Sequence, residues 1–392
     1  MQPASLRDVR LDVFRGLAMF IIFVAHIPTS NVWHGYLPRE LGPTDAAEWF
    51  VFCSGFASAL AFGKVFEQQG WLLGTSRILH RVWQLYWSHL SVFFIVAAIC
   101  VIGTWWLGTV NYLIRLNLMP FFDNPERGLV HLMTLTYVPN LFDILPMYMT
   151  VLLMLPIVVA LSRIHVGVAM TASVLLYLAA RQFDLHFSAE WWSDRPWYFN
   201  PLAWQLLFFT GFAFGRGWLH RPPATAPWLL LAGAIVLVLF VLDFRPIWEN
   251  VAAVGAISHA HLWMIEKTDF GPARYLHLLA TAYLALVLLD RYPGLLRSPV
   301  TGPLVLVGQQ TLPVFLSTMV LSWTAGMALD VVGNSFLKDT AVVLTGFLAM
   351  LAVAKIAAFY KSQPWRRPRH PLAAQGEPRG EARPGLIPAG GD

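Results

Sequence analysis

Ten apolar stretches recur along this chain, near residues 11–28, 45–63, 84–107, 143–162, 166–182, 201–219, 227–243, 275–290, 302–322 and 339–360. In lipid a backbone must satisfy its own N–H and C=O groups, and only helices and closed barrels do so. Stretches near the roughly 20 residues that cross a hydrocarbon core predict helices. Only 12% of the residues are charged, about half the share of a soluble domain. The expected fold class is therefore an all-α integral membrane protein, a bundle of about ten transmembrane helices occupying residues 1–360.

An even number of spans puts both termini on one side. If that side is taken as the inner one, about two thirds of the 27 Lys and Arg fall there, while most of the 22 Asp and Glu fall outside. This is the asymmetry of a multi-pass protein with both termini cytosolic. The basic N-terminus precedes an apolar run, but no small-residue cleavage site follows, so it reads as an uncleaved first span. Residues 361–392 turn to Pro, Gly and Arg, a composition that buries no core, and are expected to form a disordered basic cytosolic tail touching anionic membrane lipids. No basic run with interleaved aromatics occurs outside that tail, which argues against a nucleic-acid partner. Cys53 and Cys100 both sit in apolar stretches and read as buried, unpaired thiols, and no metal-ligand spacing is present.

The first span carries charge where lipid makes charge expensive. Its purely apolar part, Gly16 to Ala25, is only ten residues long, and lengthening it takes in Asp12, Arg15 or His26. Arg15 and His26 are eleven residues apart, which is about three helical turns, so they share one face about 16 Å apart along the axis. Asp12 lies one turn below Arg15 and can pair with it. Intramembrane ionisable groups mark functional sites by default. A histidine is the usual general base for a hydroxyl, and a buried arginine suits phosphate or carboxylate. The plainer readings are an arginine snorkelling to head groups and an interfacial histidine.

The second span begins Asp45-Ala46-Ala47-Glu48. The short loop before it brings its outer end near that of the first span, so Glu48 is expected to orient and charge-stabilise the His26 ring, as carboxylates do in catalytic dyads. Otherwise Asp45 and Glu48 are first-turn acids that complement a helix N-terminus. Ser54-Gly55 permits close helix packing. Arg77 and Arg81, one turn apart at the start of the third span and followed by Tyr86, form with Lys64 and Arg15 a candidate clamp for a multiply charged phosphate. The positive-inside rule explains the same cations without a ligand. Later polar groups inside apolar stretches are Asp143 and Tyr148, then Asn200, Trp204 and Gln205, and finally Gln309 in Gly308-Gln309-Gln310-Thr311. They either join helices together or contact a ligand. Gly211 and Gly215 read as packing residues. The outer segments 108–142, 183–200 and 244–274 carry Trp105, Trp106, Trp191, Trp192, Trp197 and Tyr198, which read as interface anchors or as a binding surface.

Asp12-x-x-Arg15-Gly16 followed by His26 resembles the first-helix signature of the acyltransferase type 3 superfamily, and Phe50-x-x-Cys53-Ser54-Gly55-Phe56 resembles its second-helix motif. Asp45-Ala-Ala-Glu48-Trp-Phe-Val-Phe-x-Ser54-Gly55, Asp143-x-Leu-Pro146-x-Tyr148 and Phe199-Asn200-Pro201-x-Ala-Trp204-Gln205 resemble the OpgC family, over roughly residues 5–360. One departure is Ala25, where relatives have an acid before the histidine. The resemblance implies an O-succinyltransferase of the bacterial inner membrane that moves succinyl from cytosolic succinyl-CoA to glucose hydroxyls of osmoregulated periplasmic glucans. It implies a catalytic set of His26, Glu48, Asp12 and Arg15, and CoA contacts from Arg15, Lys64, Arg77, Arg81 and Tyr86. Glucan-side contacts would come from Asp45, Ser54, Asp143, Tyr148, Asn200, Trp204, Gln205 and Gln309, with outer-face tryptophans stacking on sugar rings. The partners implied are CoA, the glucan and membrane lipids, and a homodimer is compatible with the sequence. Direct transfer and an acyl-enzyme through His26 both stand. Other readings are an O-acetyltransferase of another exported glycan or lipopolysaccharide, and a glycan transporter or flippase, which would show broken helices. A succinyl donor calls for an extra cation or several hydrogen-bond donors near the thioester, and the sequence does not locate one.

Overall fold

The computed structural model describes residues 9–108 and 110–366, and every regular element among them is helical. Eleven helices form the bundle: α1 (Val9–Ala25), α2 (Ala46–Gln68), α3 (Gly70–Leu107), α4 (Ile144–Ile164), α5 (Val166–Gln182), α6 (Pro201–Gly215), α7 (Ala226–Asp243), α8 (Pro272–Arg291), α9 (Thr301–Gln309), α10 (Thr311–Val332) and α11 (Phe336–Ser362). Seven of them, α2, α3, α4, α7, α8, α10 and α11, are long and apolar enough to cross a membrane. α5 and α6 are shorter apolar helices, and α1 is 17 residues long. The expected start of the tail moves slightly, because α11 continues to Ser362. Residues 367–392, most of the tail, lie outside the described residues.

Local chemistry sets the helix starts around the site. Asp45 accepts from Ala47 N at 2.7 Å while Glu48 accepts from Asp45 N at 2.9 Å, a reciprocal capping box that fixes the first turn of α2. Asn200 caps α6 ahead of Pro201, whose missing N–H costs nothing at a helix start.

Two antiparallel crossings form the centre. A Cβ on Gly16 would overlap the carbonyl of Leu304, and one on Gly308 would overlap that of Asp12. The same reciprocity holds for Gly55 against Phe208 and Gly211 against Phe52. Glycine at these points lets backbones meet, the small-residue packing of membrane helices. Gly211 and Gly215 thus pack as expected, Gly215 against Phe56 and Ala59.

The expected single span over 302–322 is instead two helices. The pairings Gly16–Leu304 and Asp12–Gly308 run α9 antiparallel to α1. α10 starts at Thr311, just past the Gly308 that lies on Asp12, and its Gly326 meets Pro28, so α10 runs parallel to α1. The chain therefore reverses at Gln310, whose φ of −112° and ψ of 38° leave the helical region. Hydropathy misses this because both arms are apolar. The polar run Gly308-Gln309-Gln310-Thr311 marks the turn, where Thr311 Oγ1 donates to Gly308 O at 2.6 Å. Non-helical backbone at such a depth is tolerated where protein buries it.

Candidate active site

His26 follows the last turn of α1, its N–H still bonded to Ile22 O at 3.0 Å. The ring is half-buried, and its Nδ1 is fully enclosed with no hydrogen-bond partner among the described residues. It faces a cavity of about 390 Å³. α1 contributes Ile21, Ile22 and Ala25 to the walls beside His26, α2 contributes Ala46, Ala47 and Phe50 beside its cap Asp45, α4 contributes Ile144, and α10 contributes Phe315. Asn140, Leu141, Asp143, Arg195, Tyr198, Phe199 and Lys267 close it from the segments that join α3 to α4, α5 to α6 and α7 to α8. Leu37, Pro38 and Arg39 complete it from the loop after α1. The two helix ends brought together by the short loop between them thus share one cavity.

Glu48 does not meet His26 there. Its side chain is completely buried; one oxygen accepts from Arg274 Nη1 at 2.7 Å and the other from Asp45 N. Glu48 therefore ties the start of α2 to the start of α8, and no hydrogen bond joins it to the imidazole among the described residues. The charges acting most strongly on the His26 ring are those of Lys267 and Asp45, and these two side chains form an ion pair. Burial is the strongest influence on Lys267 and opposes its charge, but Asp45, Glu48 and Tyr198 together hold the ammonium above the ordinary lysine pKa. The Lys267 nitrogen also lies 5.7 Å from the ring centres of both Tyr198 and Phe199, within cation–π range.

Of the other residues singled out in the sequence, Asp45 and Asp143 line the cavity, and Asp143 accepts from Tyr198 N at 2.8 Å. Asn200 and Trp204 stand behind its wall. Trp204 Nε1 donates to Lys267 O at 3.0 Å, and Asn200 Nδ2 donates to Asp269 Oδ1 at 2.8 Å, so both hold the turn that carries Lys267. Gln205 is buried against Ser173, with Ser173 Oγ donating to it at 2.6 Å, and joins α5 to α6. Ser54 is buried in α2 beside Gly55, and Tyr148 packs on Phe208, 5.9 Å between ring centres. Gln309 donates to the buried Asp12 at 3.2 Å, far down α1 from His26. Arg15 lies within electrostatic reach of Cys53 on α2 and is not part of the cavity wall.

The remaining cations gather at the opposite end of α2. Lys64 is exposed, the Arg77 guanidinium lies 6.0 Å from the Phe62 ring, and Arg81 donates to Gln84 at 3.1 Å. Tyr86 is separated from them. It lies nine residues beyond Arg77, about 14 Å along the helix, where its hydroxyl donates to Met133 O at 2.7 Å. Trp197 is only 4% exposed and donates to Ser188 O, so it is a core residue and no surface platform. Trp105 and Trp106 are 76% and 85% exposed, as interface anchors or stacking surfaces require.

Arg39, Arg195 and Lys267 were not legible as site residues. They sit on three separate loops and read only as outer charges; the Trp204 and Asn200 motif, whose polar groups needed partners, was the available pointer to the Lys267 turn. Neither the curated proteins nor the solved structures contain a match to this chain. The family described as OpgC protein matches residues 7–362, nearly all of the described helices and the whole cavity, and this chain belongs to that family.

Proposed function

We propose that this protein is a membrane-embedded O-acyltransferase that carries succinyl from succinyl-CoA to a glucose hydroxyl of a periplasmic glucan. In this reading α1–α8, α10 and α11 make ten crossings of a bacterial inner membrane and α9 is re-entrant, so the first turn of α1 and the Lys64, Arg77 and Arg81 cluster face the cytosol. Arginine and lysine there suit the phosphates of CoA. The fold would be that of the acyltransferase type 3 superfamily.

The observation that carries the assignment is the imidazole of His26 on a cavity that holds both apolar wall and cationic side chains. Its Nδ1 is enclosed and free of hydrogen bonds among the described residues. In the proposed step the imidazole takes the proton of a glucan hydroxyl as that oxygen attacks the thioester carbonyl. The C–S bond then breaks, and the departing thiolate of CoA receives the proton from the imidazolium, which returns the ring to its neutral form. Aromatic side chains at the mouth, Tyr198 among them, offer faces to sugar rings. Glu48 and Arg274 act as positioning residues through the capped start of α2.

Purified protein in liposomes, given labelled succinyl-CoA and neutral glucan, is expected to label the glucan, and the folded His26→Ala variant is expected not to. Undiminished transfer by that variant would remove His26 from the reaction. The reversal at Gln310 is the feature that a transporter would share, because broken helices build transporter sites. Glucan passage into proteoliposomes without any CoA thioester would move the assignment to that reading.

A further inference from the structure

Three cations line the His26 cavity, and they are held differently. Arg39 pairs with Glu40 and keeps 45% of its side chain exposed. Arg195 is 28% exposed, with Nε on Glu190 at 2.8 Å and Nη2 on Val138 O at 2.9 Å. Lys267 is 18% exposed and reaches the carboxylate of Asp45. An ammonium carries three donors, and the one side-chain hydrogen bond that Lys267 makes among the described residues is to Asp45. Asp45 is itself shared, because its other oxygen caps α2 through Ala47 N.

The turn that delivers Lys267 is unusually constrained. Trp204 and Asn200 hold it from α6, and Arg181 Nη1 donates to Asp269 O at 2.7 Å from α5. Arg274 Nε donates to Ile265 O at 2.5 Å from α8, and Glu266 Oε2 accepts from Asp269 N at 2.7 Å. Phe270, fully buried, sits at a φ of 49°, which a side chain of that bulk seldom adopts. Strain and buried polar bonds of this kind persist where the surroundings over-determine a functional geometry. Here the product of that geometry is a desolvated ammonium beside the candidate base.

We infer that Lys267 recognises the free carboxylate of a dicarboxylic acyl group and thereby selects succinyl over uncharged acyl donors, with Asp45 as the internal carboxylate that the substrate displaces. The inference rests on the acyltransferase reading. A neutral glucan hydroxyl does not call for a buried charge, and the phosphates of CoA are assigned to the opposite end of the bundle. The terminal carboxylate of succinyl is the anion that must lie close to the reacting carbonyl, because two methylenes separate them. The apolar wall from Ile21, Ile22 and Phe315 suits those methylenes, and Tyr198 and Phe199 keep the ammonium in place.

The test compares kcat/KM for succinyl-CoA and acetyl-CoA in wild type, Lys267→Met, Lys267→Arg and Asp45→Asn, each checked for folding by size exclusion in detergent. Loss of a charge-assisted contact is expected to lower the succinyl-to-acetyl ratio roughly 10- to 100-fold in Lys267→Met, with Lys267→Arg keeping part of the preference. Asp45→Asn, which removes the competing carboxylate, is expected to raise the succinyl-to-acetyl ratio, read against the acetyl-CoA kinetics of the same variant. A purely structural ion pair would instead make Asp45→Asn resemble Lys267→Met, with both donors affected equally. An unchanged ratio in folded Lys267→Met, or equal use of both donors by wild type, overturns the inference and leaves the acyltransferase reading standing. Failure of wild type to transfer any acyl group from either thioester would instead overturn that reading.

Discussion

The centre of the bundle and the roof over the His26 cavity are built on different terms. In the centre, each helix satisfies its own backbone, and what remains is shape: Gly16 against Leu304, Gly308 against Asp12, Gly55 against Phe208, Gly211 against Phe52. In the roof, the backbone between Trp263 and Phe270 makes few helical bonds; Arg181, Trp204 and Arg274 satisfy it with side chains, and the Asn200 backbone N–H donates to Thr268 O. Close-packed glycine contacts have no room to yield, so damage to the centre is expected to remove the fold. Side-chain clamps act one bond at a time, so damage to the roof is expected to misplace Lys267 while leaving the bundle intact.

The largest effect separating the two regions is expected from Gly211→Leu, whose side chain would have to displace the Phe52 backbone. Little or no monodisperse protein should be recovered in detergent, and recovery at the wild-type level would show that the crossing can open. Next comes His26→Ala, for which transfer should fall about 10²- to 10⁴-fold, the range of a lost general base, with wild-type elution and melting. Arg274→Met joins the regions, because it strands the fully buried Glu48 and frees Ile265 O together. Breaking a buried pair costs about 3–5 kcal/mol, so the melting temperature should drop along with activity; a drop in activity alone would assign Arg274 to the roof only. The smallest effect is expected from Trp204→Phe, which removes the N–H that holds Lys267 O. About 1 kcal/mol for one hydrogen bond should lower melting by a few degrees at most, alongside a several-fold rise in KM for succinyl-CoA.

Much of the fold was legible because lipid enforces it. A segment must be helical and near 20 residues long, and the apolar runs marked most long helices to within a few positions; α3 is the exception, starting at Gly70 well before the expected 84 because polar residues interrupt its first turns. Direction was not legible. Hydropathy around 302–322 is the same whether the chain continues or turns back, and only the reciprocal contacts of Gly16 and Gly308 reveal the reversal. The site divides in the same way. His26 and Asp45 lie at the ends of neighbouring helices joined by a short loop, so sequence distance stood in for spatial distance. Glu48 was assigned to His26 on loop length and membrane depth, and the bond it makes is to Arg274, more than 200 residues away. Lys267 was hidden for the same reason, since its place depends on contacts from α5, α6 and α8 at once.

The pairing of α1 with α9 also fixes an order of assembly. α1 precedes α9 in the chain, and it brings Asp12 with it. The surface that buries Asp12, Gly308 with Gln309, is made nearly 300 residues later. Until that partner is synthesised, the charged turn of α1 has no closed environment within this chain, and α9 likewise lacks the backbone against which it turns. α1 therefore reaches its final packing only after α9 has been made, and the closed surroundings of Asp12 are completed late in synthesis.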